Sequence, residues 1–188
     1  MGMSDIELPD DWTTIPFERY ICRLRSNGGT LKKKEYKENG TFPIVDQGQL
    51  LVAGFTDKTD YLFQGPYPVI VFGDHSKNVK YIDFKFAVGA DGVVLLRSKD
   101  ENKLYSKYFY HWLKNAPIHN LGYSRHYKLL KELEIPIPPT IEEQHRIVSR
   151  IEELTSRVEK AKQVLKEVEE EINNFTPSLL TKAFRGDL

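Results

Sequence analysis

The sequence predicts an α+β domain of mixed sheet and helix, followed by a long C-terminal helix that forms an antiparallel coiled coil. Short aromatic and β-branched runs, broken by Gly, Pro and Asp, fill the chain from residue 8 to residue 139 and are typical of strands in such a domain. Three prolines close this part of the chain, and a heptad repeat of apolar residues follows. We therefore predict a globular domain over residues 1–139 and a helix with a C-terminal tail over residues 140–188.

Three apolar runs of the globular part are predicted to be strands, because β-branched and aromatic residues dominate them. They are residues 67–72 (YPVIVF), 79–84 (VKYIDF) and 92–96 (GVVLL). Gly73-Asp74 and Asn39-Gly40 tolerate positive φ and so indicate turns between such strands.

One helix is predicted inside the globular part, from Leu104 to about Asn115, where Pro117 ends it. Its apolar residues are spaced so that they share one wide face. We expect this face to pack into the core rather than to stack on bases. The residues of the face are Leu104, Tyr105, Tyr108, Phe109, Trp112 and Leu113.

The C-terminal helix has a clear start and a regular apolar pattern. Pro136, Pro138 and Pro139 predict an extended segment before it. Thr140 then offers an N-cap, and Glu143, three residues on, completes a capping box. The apolar residues that follow are alternately four and three positions apart, which is the period of a coiled coil. We call the following nine residues the seam: Ile147, Ile151, Leu154, Val158, Ala161, Leu165, Val168, Ile172 and Phe175.

The charges beside the seam favour an antiparallel pair of helices. With Ile151 at position a of the heptad, parallel pairing sets Arg157 of one helix against Lys162 of the other. Antiparallel pairing avoids this repulsion and sets Arg150 against Glu171. The alternative is that the helix folds back on its own domain instead of pairing with a second chain.

Composition bounds the class of protein and its compartment. The 27 Lys and Arg residues balance 27 Asp and Glu residues, so no global positive field marks a histone-like binder. Cys22 is the single cysteine, which excludes an intrachain disulfide and a cysteine-based zinc site. We find no leader and no apolar run of the roughly 18 residues that a membrane span needs. We therefore expect a soluble cytoplasmic protein without a membrane partner.

Five segments together resemble the specificity subunits of type I restriction-modification systems. The junction from IPIPP through EEQ into the heptads, and the terminal AFRG, are its most distinctive pieces, and the similarity covers nearly the whole chain. The segments are LPDDW (8–12), VIVFGDHSKNVKYIDFKFAVGADGVVLL (69–96), GYSRHYKLLKELEIPIPP (122–139), IEEQHRIVSRIEEL (141–154) and LLTKAFRGDL (179–188).

This resemblance implies a target recognition domain that reads a few base pairs of double-stranded DNA, followed by a conserved spacer helix. Full members of the family carry two such domains and two helices, whereas this chain carries one of each. It is therefore either a half-length subunit that rebuilds the full arrangement as a homodimer, or a fragment. The resemblance also implies a methyltransferase subunit and a restriction subunit as partners. S-adenosylmethionine, ATP and magnesium are expected on those partners, and no cofactor is expected on this chain.

The length of the seam predicts the spacing of the target. Its 29 residues span roughly 44 Å at about 1.5 Å per residue. Two recognition domains at that separation would read DNA about 13 base pairs apart, at a rise of about 3.4 Å. Because a two-fold dimer presents one surface twice, we expect an inverted repeat of two short half-sites with an unread spacer.

The candidate DNA-binding residues divide into phosphate contacts and base contacts. Lysines neutralise phosphates, and mixed hydrogen-bond donors and acceptors read base edges. The alternative for these groups is a solvated loop or turn, Arg125 is the residue that we favour for contact with a phosphate or a guanine, and the resemblance identifies none of these positions individually. The candidates are the basic run Lys32, Lys33, Lys34 and Lys37; Gln47 and Gln49; the turn residues Asp74, His75, Lys77 and Asn78; and Tyr123, Arg125, His126 and Lys128.

Two other functions compete with DNA recognition. Asp74, Asp83 and Lys85 loosely imitate the acidic pair and lysine of a metal-dependent nuclease, although Asp83 and Lys85 are better explained as the polar face of a half-buried strand. No metal-ligand spacing, phosphate loop or nucleophile motif is found, so we expect neither a catalytic residue nor a metal site. The other competitor is a coiled-coil adaptor, whose DNA affinity would barely respond to salt or sequence.

Overall fold

The protein has two structural units along the chain. The computed structural model describes residues 7–26, 28–118 and 125–186. These residues group into two compact units that divide between Arg146 and Ile147. The predicted division into a recognition domain over residues 1–139 and a spacer helix with its tail over residues 140–188 stays a prediction.

The first unit contains short strands and short helices, and the long helix begins within it. The strands of the described residues are β1 (Thr13–Pro16), β2 (Ile21–Leu24), β3 (Phe42–Val45), β4 (Gly54–Thr56), β5 (Val69–Gly73), β6 (Val79–Ile82), β7 (Ala87–Val88), β8 (Val93–Ser98) and β9 (Glu134–Ile137). The helices are α1 (Phe17–Tyr20), α2 (Ser106–Asn115), α3 (Tyr127–Leu130) and α4 (Ile141–Arg185), with a 3-10 turn at Lys33–Glu35.

The strands form three small sheets. The largest has the order β2-β8-β5-β6, and all of its pairs are antiparallel. The second has the order β4-β3-β7, in which β3 and β7 are parallel. The third is the antiparallel pair β1 and β9. The predicted mixed sheet-and-helix class is therefore confirmed, together with the long C-terminal helix.

The apolar runs become the inner strands of the largest sheet. Every residue of β5 is buried, which is what a continuous apolar run between two neighbouring strands predicts. One core cluster holds eight buried residues that come mostly from this sheet and from the second one. They are Val45, Phe63, Val69, Val71, Ile82, Phe86, Val88 and Leu95.

All three predicted strands differ in their limits from the prediction, and β8 runs over Val93–Ser98 instead of residues 92–96. β5 begins after Pro68, because proline offers no N–H to a sheet ladder. β6 ends at Ile82, because the chain leaves the first sheet to bring Ala87–Val88 into the second. Asp83 and Lys85 were therefore wrongly assigned to the polar face of a strand. They are exposed residues that follow β6.

Helix α2 packs its apolar face into the core, as its spacing predicts. Phe109 is fully buried, and its ring centroid lies 5.9 Å from that of Phe17 and 6.0 Å from that of Trp112. The helix begins at Ser106 rather than at Leu104, because the Glu101 carboxylate accepts hydrogen bonds from the backbone N–H and the hydroxyl of Ser106.

The start of α4 lies where the capping residues predict it. The Thr140 hydroxyl oxygen accepts a hydrogen bond from the backbone N–H of Glu143, at 3.2 Å. One turn later the buried Gln144 accepts a hydrogen bond from the N–H of Tyr105 and donates one to the carbonyl of Lys103, both at 2.9 Å. The first turn of α4 is thus part of the globular unit.

Helix α4 continues beyond the predicted end of the seam. It runs through Pro177 to Arg185, and the Thr181 hydroxyl donates a hydrogen bond to the Pro177 carbonyl, at 2.8 Å. In the described part of the chain, no helix combines the length and the apolar character needed to cross a membrane.

Candidate nucleic-acid interface

Three loops of the globular unit meet around Gln47. Its side-chain oxygen accepts a hydrogen bond from the N–H of His75 at 3.2 Å, and its side-chain N–H donates to the Asp91 carbonyl at 2.9 Å. Its backbone carbonyl accepts hydrogen bonds from the Asn78 amide at 2.9 Å and the Ser76 hydroxyl at 2.5 Å. We call residues 46–53, 74–78 and 89–92 the loop cluster. Gln47 joins all three of its members.

A buried charge pair holds the first loop of the cluster. The Lys80 ammonium donates to the backbone carbonyl of Asp46 at 2.7 Å and lies 3.7 Å from its carboxylate. The same carboxylate accepts a hydrogen bond from the N–H of Gly48 at 2.8 Å. Burial lowers the pKa of Lys80, and the Asp46 carboxylate opposes this change. Burial and the Asp46 charge together raise the pKa of the neighbouring Tyr36 hydroxyl.

Asp74 connects the second loop of the cluster to α3. Its backbone carbonyl accepts a hydrogen bond from the N–H of His126 at 2.9 Å, and its carboxylate accepts one from the N–H of Tyr127 at 2.8 Å. The Nδ1 atom of His126 also lies 2.9 Å from that carbonyl, a contact that needs the proton on Nδ1. His126 is fully buried, so its ring does not reach the surface that DNA could contact in this structure.

The basic run lies beside the loop cluster. Lys32, Lys33 and Lys34 are exposed around the 3-10 turn, and they form no ion pair with any other described residue. Lys37 differs, because its ammonium lies 2.8 Å from the Asp57 carboxylate. The hydrogen bond from Lys37, together with two from Thr41, lowers the pKa of Asp57 from its ordinary 3.8 to about 2.

A side-chain contact joins the segment that carries the basic run to the cluster. The Thr30 hydroxyl donates to the Asp91 carboxylate at 3.4 Å, and Asp91 also binds Gln47. Lysines for phosphate contact and amides for base contact thus occur on adjoining segments, which is the combination that DNA recognition needs.

The predicted DNA-binding residues have different environments in the structure, and each assignment stays a prediction. The side chains of Gln47, Asp74 and Asn78 already form hydrogen bonds within the protein. Gln49 is exposed, and Lys77 is half-buried with a φ of 59°. Arg125 precedes α3 and Lys128 lies within it, and both are exposed, whereas Tyr123 lies outside the described residues.

Several residues of this surface were missed in the sequence. Asp46 and Lys80 are 34 positions apart, and no local pattern announces their pairing. Leu50 and Leu51 were also missed, although two adjacent leucines inside the polar stretch QGQLLVAG are a usable signal. In the structure these leucines are 72% and 51% exposed. Because the two leucines are adjacent, they form a small exposed apolar patch, and contiguous apolar patches are typical of contact sites.

The acidic residues of the nuclease hypothesis are not brought together. Asp74 follows β5 at the hairpin turn, and Asp83 follows β6 at the other end of the hairpin. The four residues of β6 separate them by about 13 Å of strand, at about 3.3 Å per residue. Within the described ranges, no three His, Cys, Asp or Glu side chains form a group that could hold a metal ion.

The long helix exposes the seam from Leu154 to Phe175, whereas Ile147 and Ile151 at its start are half-buried. Leu165, Ile172 and Phe175 are 64%, 66% and 65% exposed, and Val158 is 51% exposed. The flanking charges pair along the helix, as Arg150 does with Glu153 at 2.7 Å. The charged surface is therefore satisfied within one helix, whereas the apolar stripe is not.

Solved structures share this fold. The first was solved to show the structural basis underlying complex assembly and conformational transition of the type I R-M system. Its alignment with this chain covers 100% of this chain and 49% of the solved chain, with a TM-score of 0.73 at 21% identity. The S subunit of a type I restriction-modification system from M. genitalium covers 82% of this chain and 42% of its own, with a TM-score of 0.62 at 22% identity. The HsdS subunit from Thermoanaerobacter tengcongensis covers 98% and 47%, with a TM-score of 0.61 at 20% identity. The fold is thus that of type I specificity subunits.

Sequence comparison identifies the family. The model of the type I restriction modification DNA specificity domain matches residues 9–170, and the chain belongs to this family. The specificity subunit of the type I restriction enzyme EcoR124I/EcoR124II of Escherichia coli is 30% identical over 128 residues, which are 64% of this chain and 31% of that protein. The EcoDI specificity subunit of Escherichia coli is 36% identical over 80 residues, 43% of this chain and 18% of that protein. The chain therefore spans less than a third of these relatives and about half of the solved chains. The family predicted from the sequence motifs is confirmed.

Proposed function

We propose that this chain is a non-catalytic DNA specificity subunit that pairs as an antiparallel homodimer and reads a bipartite inverted repeat. The observation that carries the proposal is the exposed seam on a helix that begins inside a DNA specificity domain. Nine apolar residues at strict heptad spacing have no function on a solvated helix. A second copy offers the same nine residues in return, so one contact covers both stripes.

The charges beside the seam support the antiparallel direction. In that pairing Arg150 of one copy faces Glu171 of the other, and two-fold symmetry repeats the contact. The small Ala161 at the centre of the seam lets the two helices approach closely where they cross. Parallel pairing would instead set Arg157 against Lys162, and like charges at these positions are destabilising.

The length of the seam supports two half-sites with an unread spacer. Its 29 residues correspond to roughly 44 Å of helix at about 1.5 Å per residue. Two identical recognition surfaces at this separation match half-sites about 13 base pairs apart, at about 3.4 Å per base pair. Because the surfaces are related by two-fold symmetry, the half-sites are inverted copies of each other.

The partners of the proposed dimer are a methyltransferase subunit and a restriction subunit. Support comes from the relatives, which are named as specificity subunits of restriction enzymes. The chemistry then belongs to the partner subunits, with S-adenosylmethionine on one and ATP with magnesium on the other. This chain recognises the DNA sequence, and the complex acts in the cytoplasm. The loop cluster and the basic run form its candidate DNA-binding surface.

The homodimer is tested by charging the seam. Val158→Asp with Leu165→Asp introduces two carboxylates into the stripe, and we expect the variant to be a monomer by sedimentation at micromolar concentration. Ser156→Asp with Gln163→Asp is the matched control, because both positions lie opposite the stripe at the same spacing. This control and the unchanged protein should sediment as dimers. If the unchanged protein is a monomer, the proposal is contradicted. A helix that folds back on its own domain would give this result.

The recognition function is tested by selecting bound duplexes from a random library, with a methyltransferase partner present. We expect an enriched inverted repeat and an affinity that falls steeply with salt. Enrichment of a continuous or asymmetric site would overturn the bipartite reading. Binding that ignores sequence and salt would favour the adaptor. Magnesium-dependent nicking of plasmid DNA by this chain alone would favour the nuclease.

A further inference from the structure

The first loop of the loop cluster ends in an apolar tip. Among the described residues before Arg146, the exposed large apolar side chains are Leu8, Leu50 and Leu51. Leu50 is the most exposed of them, at 72%, and Leu51 follows at 51%. The two are adjacent in sequence and stand between Gln49 and Val52, so they form one apolar projection on an otherwise polar surface.

The loop beneath this tip is anchored at both of its ends. At the start, Lys80 binds the Asp46 carbonyl, and the Asp46 carboxylate receives the N–H of Gly48. At the end, the N–H of Ala53 donates to the carbonyl of Ile44, at 2.8 Å. A loop with these anchors does not need the leucines for its own packing. Their exposure therefore points to a contact outside this chain.

The segment of the basic run lies along one side of this loop. The backbone of Lys37 exchanges two hydrogen bonds with that of Phe55, at 2.9 and 2.8 Å, so the basic run lies beside the end of the loop. An open pocket of about 500 Å³ lies between residues 36–38 and 52–55. Lysines on one side and the exposed Gln49 beside the tip complement a phosphate backbone and base edges.

We propose that Leu50 and Leu51 form an apolar wedge that enters the DNA of each half-site and unstacks one base step. This inference deepens the proposed function and rests on it. Proteins that deform DNA insert apolar side chains, leucine among them, between stacked bases while cationic residues hold the phosphates. The tip supplies the apolar side chains, and the basic run supplies the cations.

DNA fits the tip better than a protein partner does. A stable protein contact buries at least about 1,000 Å² in total around a continuous apolar centre. Two leucines within a rim of glutamine and lysine offer a much smaller apolar area. A base step, in contrast, is an apolar slot that accepts one or two side chains between charged walls.

The test uses the duplex selected by the unchanged protein, with 2-aminopurine placed at successive steps of one half-site. We expect fluorescence to rise at one step when the unchanged protein binds. Leu50→Ala with Leu51→Ala should abolish that rise and raise the dissociation constant about 10-fold or more, through the lost apolar burial. Each protein is measured with the same methyltransferase partner, because a base flipped by the methyltransferase then contributes equally to both signals.

Two further variants complete the test. Leu50→Met with Leu51→Met keeps the apolar volume and should retain both the fluorescence and the affinity. Leu8→Ala removes an exposed leucine outside the loop cluster and should behave as the unchanged protein. Circular dichroism should show all of these variants to be folded, since the altered side chains are exposed.

The outcomes separate this inference from the proposed function. If the double alanine variant keeps its affinity and its unstacking signal, the wedge is wrong while sequence recognition stands. If the variant keeps its DNA affinity but loses the methyltransferase partner, the tip is a protein contact and the wedge is again wrong. If the unchanged protein selects no DNA site, the proposed function fails first and this inference fails with it.

Discussion

The two units use the same residue types for opposite purposes. In the globular unit Phe109 is fully buried and the Lys80 ammonium contacts Asp46 in the interior. In the long helix Phe175 is 65% exposed, and ion pairs such as Arg150 with Glu153 lie in solvent. Burial stabilises the first unit within one chain. The long helix has a stripe of large apolar residues that no part of its own unit covers. We therefore propose that a second copy stabilises it.

Truncating one phenylalanine in each unit gives the largest expected difference. Phe109→Ala should lower the free energy of unfolding of the globular unit by about 3–5 kcal/mol, because it leaves a cavity in the core. Phe175→Ala should change it by less than about 0.5 kcal/mol but raise the dissociation constant of the dimer. Urea unfolding followed by tryptophan fluorescence reports the globular unit alone, because both tryptophans, Trp12 and Trp112, belong to it. Equal losses from the two substitutions would remove the contrast between the units.

The buried charge pair gives the next largest effect. Asp46→Ala removes the carboxylate and leaves the Lys80 ammonium buried without its counter-charge. We expect this substitution to destabilise the globular unit by about 3 kcal/mol. Asp46→Asn with Lys80→Met removes both buried charges and keeps the side-chain volumes, so its cost should be less than half as large. Urea midpoints measure both variants. A greater loss from the double variant would mean that the backbone contact from Lys80 to Asp46, rather than charge pairing, holds the loop.

Reversing charges beside the seam has a smaller effect and sharpens the direction of the pairing. Arg150→Glu and Glu171→Arg should each raise the dissociation constant of the dimer about 2- to 30-fold, from two symmetric exposed pairs. Combining the two changes should restore the affinity, because the charges again face opposite signs in an antiparallel dimer. Sedimentation at low and high salt measures this, and salt should shrink the differences. Additive losses in the double variant would argue against the antiparallel register.

The smallest expected effect is a loss of stability in acid, and it depends on Asp57, which pairs with Lys37 of the basic run. The pKa of Asp57 is lowered from 3.8 to about 2, first by Lys37 and then by Thr41. A depressed carboxyl pKa stabilises the fold above pH 3.8, and the contribution is lost as the pH falls from there toward 2. Asp57→Asn should therefore flatten the decline of the urea midpoint between pH 4 and pH 2. Asp60→Asn, an exposed aspartate of the same segment, is the matched control and should leave the decline intact.

Features that depend on local chemistry could be predicted from the sequence. Thr140 caps α4 because its hydroxyl needs only a backbone N–H three residues away. The seam is visible because helical geometry alone sets its period, and the face of α2 is visible for the same reason. The continuous apolar run of β5 likewise indicates a strand covered on both sides.

Features that depend on tertiary placement could not be predicted. The Asp46–Lys80 pair joins residues whose proximity exists only after β3 and β6 have entered different sheets. Gln47 was predicted as a base-reading residue, whereas its hydrogen bonds to Asp91 and His75 give it a structural role as well. The strand limit at Ile82 depends on where the chain crosses between the sheets, which no local pattern encodes.

The contacts that hold the first loop of the cluster fall on its backbone and at its base. Lys80, Ser76 and Asn78 donate to backbone carbonyls of residues 46 and 47, whose acceptors exist whatever side chains follow. Among the described contacts, none involves a side chain of residues 49 to 51. A randomised library at these three positions should consequently yield mostly folded proteins, which makes the tip a practical starting point for redesigning target preference.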